Sequence, residues 1–399
     1  MGTRIFALAA IMLFAVITAG APDSSGAAKA LAQPYAEFGF DVLRDLSSQH
    51  ANESIFVSPC SIAVALAMLS NGASGTTRQA ILKTLHSDAQ SLEAFNAANQ
   101  ALVEQINKTT AVQLAVANGL WLEKSADVNP VFSGTLQTSY GAVVQSLSFG
   151  EPTAAETINS WVVKHTNGRI PKIIDRMDAA TVAILTNAIA FKGKWSLPFS
   201  AASTRPHGFK TFQGVRKISM MTNSERYSYA KDSSLESIRL PYADGSFALY
   251  VVLPQDENAM HSYLQLLTAK RFAAQIASLQ ARPGTIELPR FSLTYRTSLN
   301  TSLEKLGMKI AFERDADFSK IPQRPAPLWI SDVQHATFLK VDEEGTEAAA
   351  ATSIAMPTMS MRPTIPPFHM VVDHPFFLAI RDERSGQILF MGVVADPQS

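Results

Sequence analysis

The chain has 399 residues, 47% of them hydrophobic and 17% charged, with 34 basic residues balanced by 34 acidic ones. It is long and apolar enough to bury a large core, and its composition lies far from that of disordered chains. With zero formal net charge and Lys and Arg scattered rather than striped, it has no electrostatic grip on nucleic acid or on an anionic membrane.

The first residues have the grammar of a secretory signal: Arg4, an apolar stretch from Ile5 to Thr18, then Ala19-Gly20-Ala21. Residues 1–21 are the expected signal peptide. Pro22 is a poor neighbour for the peptidase, so cleavage as late as Ala27 stays open. A membrane anchor is the competing reading, but the stretch falls short of a typical span. No other segment looks transmembrane, so the mature chain is expected off the membrane, in the extracellular space or a cell envelope or periplasm.

Phe38, Val42, Leu43 and Leu46 recur at helical spacing within Tyr35 to Leu46. Ser58 and Pro59 read as the cap and first residue of a second helix, Cys60 to Leu69, apolar nearly all round and therefore central. Cys60 is the only cysteine, so no intramolecular disulfide is available and a buried structural thiol is expected. Thr76 to Leu85 and Leu92 to Ile106 predict two amphipathic helices. Val112, Leu114 and Val116 alternate as a strand does, and Gly141 to Phe149 reads as another. Ile158 to Val163 predicts a helix closed by Asn167-Gly168. Thr181 to Phe191 and Phe247 to Leu253 are continuous apolar runs, the mark of strands covered on both faces. Leu299 to Leu306 reads as a helix and Ala336 to Val341 as a strand. Phe376 to Ile380 and Ile388 to Val394 form a pair of strands around a Ser385-Gly386 turn. Helices dominate early and strands late, which argues for an α+β fold rather than a βαβ repeat. No linker divides the chain, so 22–399 is read as one domain.

Residues 342–373 fit no core. They begin Asp342-Glu343-Glu344-Gly345 and run on as TEAAAATSIAMPTMSMRPTIPP. Pro357, Pro363, Pro366 and Pro367 preclude a central strand or helix over the second half. Loops of this length in a compact domain are functional or disordered. If the first half were laid into a sheet, Thr346, Ala348, Ala350, Thr352, Ile354 and Met356 would share one uncharged face. A strand held in reserve and a plain helical or disordered Ala run are equally open on this evidence.

VDEEGTEAAAAT, the Pro-rich loop and DHPFFLAIRDERSGQILFMGVVADP resemble the hinge, reactive-centre loop and C-terminal strands of the serpin family. FVSPCSIAVALAML, LTNAIAFKGKW, IRLPYADGSFALYVVLP and IELPRFSLTYRTSLNTSLEKLGM resemble further family segments in order, spanning everything after the signal region. The resemblance implies an α+β serpin fold of about three β-sheets surrounded by about nine helices, with an exposed reactive-centre loop over about 343–372. It implies no enzyme but an inhibitor of serine-type endopeptidases that acts as a suicide substrate. The target cuts the loop and forms an acyl-enzyme, and the cut loop then inserts as a strand, trapping the protease in a covalent 1:1 complex. From Thr346 to Met359 the loop would extend about 46 Å, close to the roughly 54 Å expected across a domain of this size.

Counting from Glu343 in the family pattern puts the reactive bond at Met359-Ser360, which suits elastase-, chymotrypsin- or subtilisin-like enzymes. The stretch from there to Asp373 is longer than the pattern, so Met361 and Arg362 stay open as alternatives. Gly345, Thr346, Ala348, Ala349, Ala350 and Ala351 match the hinge of inhibitory members. The alternative is a non-inhibitory serpin: a carrier, storage protein or chaperone. Also by resemblance, Ser58, Ser61, Asn187 and His335 make up the shutter beneath the opening sheet. Trp195 marks the breach where insertion begins, with Glu343 and Arg290 as an ion pair.

The rival enzyme reading is poor. Neither G-x-S-x-G nor H-E-x-x-H occurs. Ser302 to Lys305 spells S-x-x-K and Ser298 to Asn300 spells S-x-N, but the K-T-G partner is missing. The eight histidines are dispersed, so no metal or cofactor is expected. The region from Ser87 to Lys108 is acidic to neutral, so heparin activation is not expected. A monomer is. Asn52, Asn107 and Asn300 begin N-x-S/T sequons.

Overall fold

A computed structural model of the chain describes residues 24–87, 91–178, 180–256, 259–322, 327–346 and 366–397. The expected signal peptide, Ala348 to Ala351, and Met359, Ser360, Met361 and Arg362 lie outside the described residues. The described helices are α1 (Ser24–Ala30), α2 (Ala32–Gln49), α3 (Pro59–Ser70), α4 (Gly75–Thr84), α5 (Leu92–Asn107), α6 (Pro130–Tyr140), α7 (Thr153–His165), α8 (Ala259–Gln265), α9 (Ala269–Ala277) and the single turn α10 (Asn300–Leu303). The described strands are β1 (Ile55–Val57), β2 (Val112–Glu123), β3 (Val143–Leu147), β4 (Ala183–Lys194), β5 (Arg205–Thr211), β6 (Gly214–Lys231), β7 (Leu235–Tyr242), β8 (Phe247–Pro254), β9 (Gln280–Pro289), β10 (Phe291–Ser298), β11 (Asp332–Val341), β12 (Gly345–Thr346), β13 (Phe368–Val371), β14 (Phe376–Asp382) and β15 (Ile388–Val394).

The expected three sheets take the form of two hydrogen-bonded networks. One has the order β10-β11-β4-β2-β3, with β12 against β4; the other runs β1-β15-β14-β8-β7-β6-β9-β13, with β5 against β6. The 18-residue β6 joins what would otherwise be two sheets. Its earlier residues pair with β5 and β9, and only Ser228 to Lys231 reach β7.

α3 forms where the sequence predicts it. The Ser58 side chain accepts from the Ser61 N–H and Pro59 takes the first turn, where its missing N–H costs nothing. All twelve residues of α3 are buried, because the helix lies between the two sheets' cores. β4 is buried along nearly its whole length. Its Ala183, Leu185, Ile189 and Phe191 belong to the main core, while Ile184 and Ala188 belong to a smaller core beneath α7. Leu299 to Leu306 is helical only at its start. Gly307, at φ +111°, breaks it into a π turn and a 3-10 turn.

Candidate functional site

The site begins at a fork. β4 and β11 are parallel neighbours, in register from Ile184↔Asp332 to Ala190↔Phe338. Above that level they part. The chain leaves β11, turns through Asp342 to Glu344, and returns as β12, whose Gly345 and Thr346 pair antiparallel with Lys194 and Gly193. The other side of Gly193 is taken by Val112 of β2. β12 therefore stands on the β11 side of β4, at the head of the gap, and runs opposite to both strands.

Only glycine fits at position 345. A Cβ there would sit 2.1 Å from the Gly193 carbonyl oxygen and 2.6 Å from the Lys194 Cα, and φ is +153°. Trp195 stacks on Tyr242 at 4.5 Å between ring centroids and 12° between planes, and its indole N–H donates to the Asp342 carbonyl at 2.9 Å. The backbone N–H groups of Trp195 and Phe199 donate to the carbonyls of Glu344 and Glu343. The expected Arg290–Glu343 pair is present at 3.9 Å, but the Arg290 side chain is 47% exposed. Such a pair contributes little. The nearer partner is Thr204, whose hydroxyl donates to Glu343 at 2.7 Å. Sequence reasoning missed it, since Thr204 lies in a loop with no periodic signal.

Below the fork is a buried polar network. His335 and Asn187 face each other in the parallel register. The Ser58 N–H donates to His335 Nε2 at 3.1 Å, which leaves the proton on Nδ1 to donate to Asn187 Oδ1 at 2.7 Å. The Asn187 amide donates to the Ser61 hydroxyl and carbonyl and to Asn118 Oδ1. The Ser58 hydroxyl donates to the Leu389 carbonyl. Burial pushes the His335 imidazole down to about 3, so the ring is neutral. The structure thus brings Ser58, Ser61, Asn187 and His335 together, and adds Asn118 and the Leu389 carbonyl. The polar Asn118 within the apolar β2 run was the available signal.

Residues 33–397 match the family model described as Serpin (serine protease inhibitor). The chain is a serpin. It is 34% identical to mouse alpha-1-antitrypsin 1-1 over 382 residues, covering 94% of this chain and 91% of that protein. It is 34% identical to the leukocyte elastase inhibitor of Bos taurus over 374 residues, covering 90% and 97%. Among solved structures, human thyroxine-binding globulin superposes with a TM-score of 0.85 at 27% identity, covering 94% of this serpin and 100% of that chain. The serpin fold and the α+β class follow. The family is one of protease inhibitors rather than enzymes.

Proposed function

We propose that this serpin is secreted and inhibits a serine endopeptidase by the suicide-substrate route, its bait bond cut and the freed strand taken up between β4 and β11. The observation that carries this reading is the pairing of β12 at the fork: the incoming strand already has its first two residues in register with β4.

Continuing that register downward sets each later residue against a partner. Glu347 would meet Lys192, Ala351 would meet Ala188, Thr352 would meet Asn187, and Met356 would meet Ala183 at the start of the strand. Directly opposed residues share a face. Ala348, Ala350, Thr352, Ile354 and Met356 would therefore turn toward the main core, where Phe191, Ile189 and Leu185 already lie. That is the uncharged face noted in the sequence. Thr352 would enter between Asn187 and His335, a hydroxyl replacing the bond that insertion breaks. On the opposite face Ala351 would join Ala117, Ala188 and Ala336, which stand in one row beneath α7 at no more than 1% exposure. Small residues there let the strand enter without lifting the helix. Met359 lies just past the last residue that β4 can pair, so Met359-Ser360 is the proposed reactive bond, with Met361 and Arg362 as alternatives. The target class is elastase-, chymotrypsin- or subtilisin-like, and heparin is not needed.

Incubation with elastase, chymotrypsin, subtilisin and trypsin tests this. The expected result is an SDS-resistant 1:1 complex with at least one enzyme other than trypsin, and a released C-terminal fragment beginning at Ser360. Cleavage by all four with no stable complex would instead identify a non-inhibitory serpin.

A further inference from the structure

A cavity of about 90 Å³ lies beside the buried polar network, walled by Val64, Val103, Ile106, Leu114, Val116 and Ile189. Asn107 at the end of α5 and Gly141 just past α6, both exposed, mark its mouth.

Two polar side chains in the lining have donors to spare. Asn118, 6% exposed, accepts at Oδ1 from the Asn187 amide, and its own amide N–H groups meet no acceptor among the described residues. Ser61, 5% exposed, accepts at its hydroxyl from the same Asn187 nitrogen, and its O–H likewise meets none. Both bonds are 2.5 Å long, so the two accepting oxygens are no more than twice that distance apart. Buried donors without an acceptor cost free energy. A single carbonyl oxygen, with two lone pairs, answers both.

The lining also sets the charge and size of the occupant. It contains no Lys, Arg, His, Asp or Glu. Burial pushes the Cys60 thiol up to about 12, so that group is uncharged as well. The C-terminal turns of α5 and α6 border the mouth, and a helix C-terminus carries partial negative charge. A carboxylate would lose its hydration there without gaining a cation, and an ammonium group, which only donates, cannot answer two donors. The volume is about three times the liquid share of one water and short of the roughly 150 Å³ that holds benzene, room for about four to six heavy atoms.

We infer that this cavity is a binding site for a small neutral carbonyl compound, its oxygen held by Asn118 and Ser61 and its carbons by the apolar walls. Occupancy satisfies two buried donors and stabilises the described form by mass action. No protease or cut loop takes part, so failure here is separable from failure of the inhibitory reading.

The test is a titration of the isotope-labelled full chain with methyl isopropyl ketone, read at the Asn118 side-chain amide. Isobutyrate, the same skeleton with a carboxylate oxygen in place of one methyl group, is the comparison. The ketone should shift that amide saturably with a Kd on the order of 1 mM, and isobutyrate should bind at least about tenfold more weakly. Val103 is half-buried on α5. Val103→Phe fills the cavity and leaves both donors in place, so it should abolish the shift while the melting temperature holds. Asn118→Leu keeps the shape and removes a donor. Read at the Ser61 backbone amide, it should weaken the ketone about tenfold, the loss of one buried hydrogen bond. Equal binding of ketone and isobutyrate overturns the inference, as does a ketone shift that survives Val103→Phe or an affinity unchanged by Asn118→Leu. An Asn118 amide that never responds overturns it too, since water alone would then fill the cavity. Should Asn118→Leu not fold, the comparison of the two ligands on the native chain decides.

Discussion

Acid should destabilise this serpin through one histidine. His335 is completely buried, and burial lowers its imidazole from the ordinary 6.5 to about 3. In the unfolded chain the ring takes up a proton as the pH drops below 6.5; in the fold it does not until about pH 3. The stability tied to the neutral ring is therefore complete above pH 6.5 and is lost as the pH falls toward the folded value. Between pH 6.5 and pH 4.5 the loss is about 2 kcal/mol, at roughly 1.4 kcal/mol per pH unit once the unfolded ring is mostly protonated. Carboxylates titrate in part of this range, so the wild type alone is not informative. His335→Gln supplies the control: its amide can accept from the Ser58 N–H and donate to Asn187 without titrating. Urea unfolding of both proteins at the two pH values should show the wild type losing about 2 kcal/mol more than the variant. Parallel pH profiles would refute the reasoning, since they would mean that the ring is charged in the fold or hydrated there.

Three further outcomes follow from the register of the incoming strand and from the packing of the N-terminal helix. Ala350→Glu would drive a carboxylate against Ile189, which is 3% exposed; cleavage should continue while the SDS-resistant band gives way to cut product. Nicking the loop with a protease that is then removed should raise the melting temperature by on the order of 10 °C, from the newly buried Ile354 and Met356 side chains at about 1.5–3 kcal/mol each and about 2 °C per kcal/mol; calorimetry before and after nicking reads this. Ala28 is fully buried in α1, and its carbonyl accepts from the Gln387 side chain at 3.2 Å. Signal cleavage near Ala27 would leave a charged terminus there, so the intact mass of secreted protein should correspond to a start before Ser24.

The elements at the centre of the fold were the legible ones. α3 and β4 announce themselves as continuous apolar runs because both are enclosed on every side, and the β14–β15 hairpin does so for the same reason. Among the strands at the periphery β3 was read, but several others were not. β6 alternates stretches of exposed and buried residues, since it lies half over a core and half in solvent, and no single period describes it. α6 went unread although Asn129 caps it, Pro130 opens it and Gly141 closes it at φ +61°; those signals are local, and only three of its residues are buried. The network residues Ser58, Ser61, Asn187 and His335 were legible through family resemblance alone, because nothing in their spacing brings four distant positions to one point. Asn118, Thr204 and the carbonyls that complete the site depend on tertiary placement, which sequence periodicity does not encode.

The strand order also explains where the energy for trapping would come from. Seven residue pairs join β11 to β4 in parallel, a pairing slightly weaker per residue than the antiparallel one. A strand entering between them gives up those pairs and gains two antiparallel ladders along most of β4. His335 and Asn187 must part for this, and leaving two buried polar groups unpaired would cost about 1–3 kcal/mol each. Thr352 arriving at that level removes most of this penalty, because its hydroxyl both donates and accepts. On the proposed inhibitory reading, the network at the centre would therefore hold the intact sheet shut without making the inserted state costly. A residue at 352 without a hydroxyl would retain the first property and lose the second.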